Sequence, residues 1–116
     1  MSDIPRELSL NAVMGHGAHY EGDLSFEGRV RVDGTFVGRI YTEDCLEVGV
    51  DGVLEGETDV ARAVVAGTLS GKIRVREHLL LESTGVIRGS LDAAVVEVRD
   101  GGQIRGEVRI SGKVEG

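Results

Sequence analysis

A short motif, Gly-x-h-x-Gly-x-h with h apolar, recurs six times and dictates most of what this 116-residue chain can fold into. Five copies read GTFVGRI, GVLEGET, GTLSGKI, GVIRGSL and GQIRGEV, and they follow GAHYEGDL, which carries one extra residue. The second glycines are Gly22, Gly38, Gly56, Gly71, Gly89 and Gly106, spaced by 16, 18, 15, 18 and 17 residues. A near-constant period over most of a chain marks a repeat architecture, in which each unit buries its apolar face against its neighbours.

Between the glycines the sequence alternates apolar and polar residues, the period-2 pattern of strands. Two residues before the second glycine stand Tyr20, Phe36, Leu54, Leu69, Ile87 and Ile104. Two after it stand Leu24, Ile40, Thr58, Ile73, Leu91 and Val108, and four after it Phe26, Thr42, Val60, Val75, Ala93 and Ile110. Further columns hold Val30, Leu46, Val64, Leu79, Val96 and Val114, the fifth displaced by one residue, and then Val32, Val48, Ala66, Leu81 and Val98. Helices are excluded, because glycine at short intervals opposes them and the period is wrong. Phe36, Leu54, Leu69 and Ile87 are the expected centre of the core.

A period of about 17 residues fits one coil of three short strands joined by tight corners. Asp33-Gly34, Asp51-Gly52, Ser83-Thr84-Gly85 and Asp100-Gly101-Gly102 supply residues suited to such corners. The expected architecture is all-β: a single-domain, three-sided parallel β-helix, or β-solenoid, of about six coils. Its core occupies residues 15–116, after an N-terminal segment over 1–14.

Charges that played no part in finding this register support it. One residue after each second glycine come Asp23, Arg39, Glu57, Lys72, Ser90 and Glu107; three after come Ser25, Tyr41, Asp59, Arg74, Asp92 and Arg109. Stacked in parallel, both outward columns alternate in sign over several coils, which favours pairing. Arg88 and Arg105 break the rule by falling one above the other. Val37, Val65 and Leu80 are expected to point outward and offer lateral contacts.

Composition narrows the function. Aromatic residues make up 3% of the chain and the formal net charge is −7, with no basic concentration, which argues against nucleic acid as a partner. The single cysteine, Cys45, lies beside Leu46 and is read as a small core-adjacent residue. No apolar run approaches the length of roughly 20 residues that spans a bilayer. His16, His19 and His78 match no zinc spacing and are read as surface residues. The glycines precede strands, so they do not form a phosphate loop. No cofactor, metal or catalytic group is expected.

The N-terminal segment carries Ile4, Leu8, Leu10, Val13 and Met14. It reads as a flexible or capping tail, with those five residues as a candidate membrane-contacting set. The two ends of a solenoid are rows of unpaired backbone groups, and soluble solenoids cover them. Here the repeat runs on to Val108 and Ile110 and no amphipathic helix follows, so the expected contacts are end to end. At the C-terminal end these are Ile104, Arg105, Val108 and Ile110; at the N-terminal end, Tyr20, Leu24 and Phe26. Arg105 above Arg88 is expected to weaken the C-terminal contact.

From about Gly17 to Ile110 the coils, with the phrases VDGTFVGRI and GTLSGKI, resemble those of the bactofilins. The resemblance implies a right-handed β-helix that polymerises with itself, without nucleotide, into non-polar filaments. It implies a bacterial cytoplasmic scaffold for cell shape, held at the cytoplasmic face of the inner membrane by N-terminal contact with lipid. It also implies partners among cell-wall enzymes or polar proteins. The chain departs from some members in lacking an N-terminal basic cluster, and its C-terminal tail is nearly absent. Two other readings are an acyltransferase-like oligomeric β-solenoid enzyme and a β-helical regulator of another cytoskeletal protein.

Overall fold

The computed structural model describes residues 12–15 and 17–115, with the backbone alone at 12–14 and 113–115. Every regular element among them is a strand. In chain order these are β1 (Ala12–Met14), β2 (His19–Phe26), β3 (Val30–Val32), β4 (Thr35–Val48), β5 (Val53–Val65), β6 (Thr68–Leu81), β7 (Val86–Val98) and β8 (Gln103–Glu115). All pairings are parallel. The ladder runs β1-β3-β4-β5-β6-β7-β8, with β2 also paired to β4. The result is a β-solenoid of about five turns, the distance between six stacked copies of the glycine motif.

Each long strand bends twice, giving a coil three sides. In β4, side a (Thr35–Val37) ends at Gly38, whose φ is 138°. Side b (Arg39–Thr42) ends where the register shifts at Glu43 and Asp44, and side c (Cys45–Val48) follows. The six corner glycines stack in one column from Gly22 to Gly106. A Cβ at Gly38 would overlap the Gly22 carbonyl, and its φ is one that L side chains rarely adopt. The corner therefore needs glycine for conformation and for space. Three of the turns between successive coils close by bonds from Gly52 N to Gly49 O, Gly85 N to Glu82 O and Gly102 N to Arg99 O, at 2.8, 2.9 and 3.0 Å.

Inside the coils, residues at spacing 2 form vertical apolar stacks. Phe36, Leu54, Leu69 and Ile87 are buried in one, and Ile40, Ile73 and Leu91 in another. Two columns differ from their sequence assignment. Ala63 pairs with Leu46 and Leu79 in place of Val64, and Val65 pairs with Val48 and Leu81 in place of Ala66. Val65 is consequently fully buried, where an outward position was expected, and Val64 faces out. The cause is the corner between sides b and c. It holds two residues in β4 (Glu43, Asp44) and β6 (Arg76, Glu77) but one in β5 (Ala61) and β7 (Ala94). In β7 the polar Glu97 reveals the shift; in β5 a run of apolar residues conceals it.

Among the described residues two polar side chains lie in the core. The Thr42 hydroxyl donates to Gly28 O at 2.7 Å and accepts from Asp44 N at 3.1 Å, tying the b–c corner to the coil below. Thr58 is 2% exposed in the stack between Ile40 and Ile73, and its hydroxyl has no partner.

Candidate functional site

The two ends of the solenoid are where the regular structure leaves chemistry unfinished. Among the described residues β8 pairs with β7 alone, and β2 with β4 alone. Each presents a free strand edge, which is a template for another strand. The apolar stacks also run out at these edges. Leu24 and Phe26 at one end, and Ile104 and Ile110 at the other, are half-buried against the core, and none of the described residues stacks beyond them. Tyr20 is 42% exposed and Val108 39%, although their equivalents Phe36 and Leu91 are buried. Tyr20, Leu24 and Phe26 thus share one end, and Ile104, Val108 and Ile110 the other.

Arg105 sits on the outer surface of β8, directly over Arg88. Its guanidinium donates to Gln103 Oε1 from Nε at 3.3 Å and Nη2 at 3.0 Å, a local fork that spreads it along the strand edge. Of the N-terminal apolar set, Val13 and Met14 lie in β1, paired with Arg31 and Val32. Ile4, Leu8 and Leu10 lie outside the described residues. No helix among the described residues is long and apolar enough to cross a membrane.

Side b carries both alternating charge columns in the expected register. Arg39 and Glu57 pair there at 3.2 Å. These side chains wall an open groove of about 750 Å³ whose lining includes Lys72, Arg74 and Asp92. His19 is exposed, 2.9 Å from Glu21, and His78 lies 3.6 Å from Glu97; His16 is outside the described residues. Cys45 is half-buried on side c, and burial is the main cause that raises its thiol pKa, with Glu47 adding to it. The thiol is therefore held in its unreactive, protonated form at neutral pH. Among the described residues no three His, Cys, Asp or Glu side chains converge to hold a metal ion.

Comparison with known proteins agrees with this geometry. Residues 12–109 match the family model for bactofilin, described as polymer-forming cytoskeletal. The chain belongs to the bactofilin family. The match begins at the first residue of β1 and ends within β8, so it covers the bactofilin solenoid as far as side b of its last coil. No curated protein and no solved structure matches the chain. The family is one of polymer-forming cytoskeletal proteins.

Sequence reasoning missed one structural residue of consequence. Arg76, at the two-residue corner of β6, reaches past β5 to the backbone of β4. A signal existed in the unequal coil lengths, 15 residues against 18, but spacing alone does not say which side chain spans the gap.

Proposed function

We propose that this chain is a cytoskeletal scaffold whose units dock end to end into filaments without nucleotide. The observation that carries the reading is the truncation of the apolar stacks at both ends. Tyr20, Leu24 and Phe26 terminate them on β2, and Ile104, Val108 and Ile110 on β8, each beside a free edge. A second copy placed on either edge would extend the ladder and cover the stacks, at about 25 cal/mol per Å² of apolar area removed from water. The energy source is geometric, so no bound nucleotide is required.

Negative-stain electron microscopy of the purified chain without nucleotide tests this. Filaments a few nanometres wide, roughly the width of one solenoid, are expected. Val108→Lys, which places a charge on the exposed end of a stack, should abolish them while leaving the circular dichroism spectrum unchanged. Filaments of undiminished length from that variant would refute docking through the β8 end.

Scaffolding of cell shape and recruitment of cell-wall enzymes or polar proteins would follow from such a filament. Attachment to the cytoplasmic face of the inner membrane would use Ile4, Leu8 and Leu10. Flotation with lipid vesicles, comparing the full chain with one lacking residues 1–11, decides that attachment.

A further inference from the structure

Three Asp-Gly steps, Asp33-Gly34, Asp51-Gly52 and Asp100-Gly101, lie at corners between side c of one coil and side a of the next. An Asp-Gly step can rearrange on its own. The glycine nitrogen attacks the side-chain carbonyl carbon of the aspartate, and the new C–N bond closes a succinimide ring. The N–H proton and the carboxyl hydroxyl leave together as water. Water then opens the ring, and opening at the α-carbonyl leaves isoaspartate, whose main chain runs through the β-carbon. One water is lost and one is taken up, so no other reactant is needed. Glycine permits the attack because no Cβ crowds its nitrogen.

The three steps differ in what restrains the attacking nitrogen and the carboxyl. Gly49-Val50-Asp51-Gly52 and Arg99-Asp100-Gly101-Gly102 are both four-residue turns, closed by the last N–H on the first C=O at 2.8 and 3.0 Å. In the first turn the attacking nitrogen, that of Gly52, is the closing donor, and Gly52 is buried. In the second, the Asp-Gly step sits one place earlier, at the tip. The closing donor there is Gly102, and Gly101 has the positive φ, 99°, suited to the third place of such a turn. Asp100 and Gly101 are both exposed, and among the described residues no hydrogen bond or ion pair engages the Asp100 carboxylate or the Gly101 N–H. At the remaining step, Asp33 Oδ2 accepts from Arg31 Nε at 2.8 Å and Gly34 is buried against the carbonyls of Gly15 and Ala18.

We infer that Asp100 is the position at which this folded chain converts to isoaspartate, lengthening the turn into β8 by one main-chain atom. The bonds from Gly102 N to Arg99 O and from Gln103 N to Gly85 O, each 3.0 Å, seat the start of β8 on the coil below. An added atom in that turn displaces both. Among the described residues β7 is the only strand paired with β8, so the last coil takes up the change alone.

Ageing the full chain at neutral pH in heavy-oxygen water tests the site, because each ring opening adds one heavy oxygen. Tryptic cleavage in ordinary water then separates the three steps into peptides 32–39, 40–62 and 100–105. Label in the folded chain should enter 100–105 faster than the other two by about tenfold or more, since attack at a buried glycine waits for local opening. In urea the three rates should converge. Equal labelling in the folded chain, or greatest labelling in 32–39 or 40–62, overturns the assignment. Rates that stay as far apart in urea overturn it too, by tracing the difference to local sequence. Hydrogen exchange tests the consequence: the isoaspartyl fraction should exchange faster across 103–110, and exchange equal to that of fresh chain overturns the loosening of β8. Neither measurement requires filaments, so failure of either leaves end-to-end docking standing.

Discussion

Arg76 donates from Nη2 to the carbonyl oxygen of Thr42 at 3.0 Å, reaching from β6 to β4 across the intervening coil. The reach is possible because the b–c corner of β5 has shrunk to Ala61. The same guanidinium lies 5.3 Å from the centroid of the Tyr41 ring and 3.3 Å from Asp59 Oδ1. A shortened coil leaves a notch in the wall of the solenoid, and Arg76 fills it with a stack, a backbone bond and an ion pair.

Replacing Arg76 with alanine is expected to lower stability by about 1–2 kcal/mol, a range already reduced for the third of the side chain that water reaches. Lysine should recover little, since a point charge cannot stack on Tyr41 and serve Thr42 and Asp59 at once. Urea unfolding of both variants checks this, and a lysine variant equal to the parent would contradict it.

The two buried threonines should respond in opposite directions to the same change. Thr58→Val replaces a hydroxyl without a partner by a methyl among Ile40 and Ile73, and should stabilise by about 1 kcal/mol. Thr42→Val strands the Gly28 carbonyl and the Asp44 N–H, and should destabilise by about 1–3 kcal/mol. Thermal melts of the pair give the sign directly.

Gly56→Ala is expected to cost at least about 3 kcal/mol, combining backbone strain with steric overlap. Its φ is 125°, and a Cβ there would overlap the Gly38 carbonyl of the coil below. Gly15→Ala, where a Cβ meets nothing within 4 Å, serves as the control and should be nearly neutral. Equal effects from the two would show that the corner column is not under this constraint.

Burial raises the Cys45 thiol pKa above its ordinary value of 9.0. Alkylation of the native chain at neutral pH should therefore be slower than that of the urea-unfolded chain by about tenfold or more. The same shift has a signed effect on stability. Below the unfolded thiol pKa both states hold the proton and its full contribution is present; as pH rises past that value the unfolded chain ionises first, and stability falls until the folded thiol also titrates. Cys45→Ala should remove that alkaline decline, which pH-dependent denaturation curves would reveal.

Much of this protein was decided by its sequence. The glycine period and the alternation between glycines leave parallel stacking as the arrangement that buries every apolar column at once, and the columns through Phe36, Leu54, Leu69 and Ile87 and through Ile40, Ile73 and Leu91 follow from counting. The alternating charges of side b could be counted in the same way, because in-register stacking of like residues is a linear property of the chain. What counting could not reach is where a coil gains or loses a residue. Val64 and Val65 are equally apolar, and only the one-residue corner at Ala61 turns Val65 into the core and Val64 out of it. The span of Arg76 to Thr42 depends on that same corner, since a side chain crosses a coil only where three-dimensional stacking has opened a gap. The ends show the same division: the sequence named the apolar residues of β2 and β8, and the stacked structure determined that Tyr20 and Val108 are left uncovered while their equivalents inside the solenoid are not. Burial depends on which neighbour lies above and below, and that is settled only when the coils are stacked.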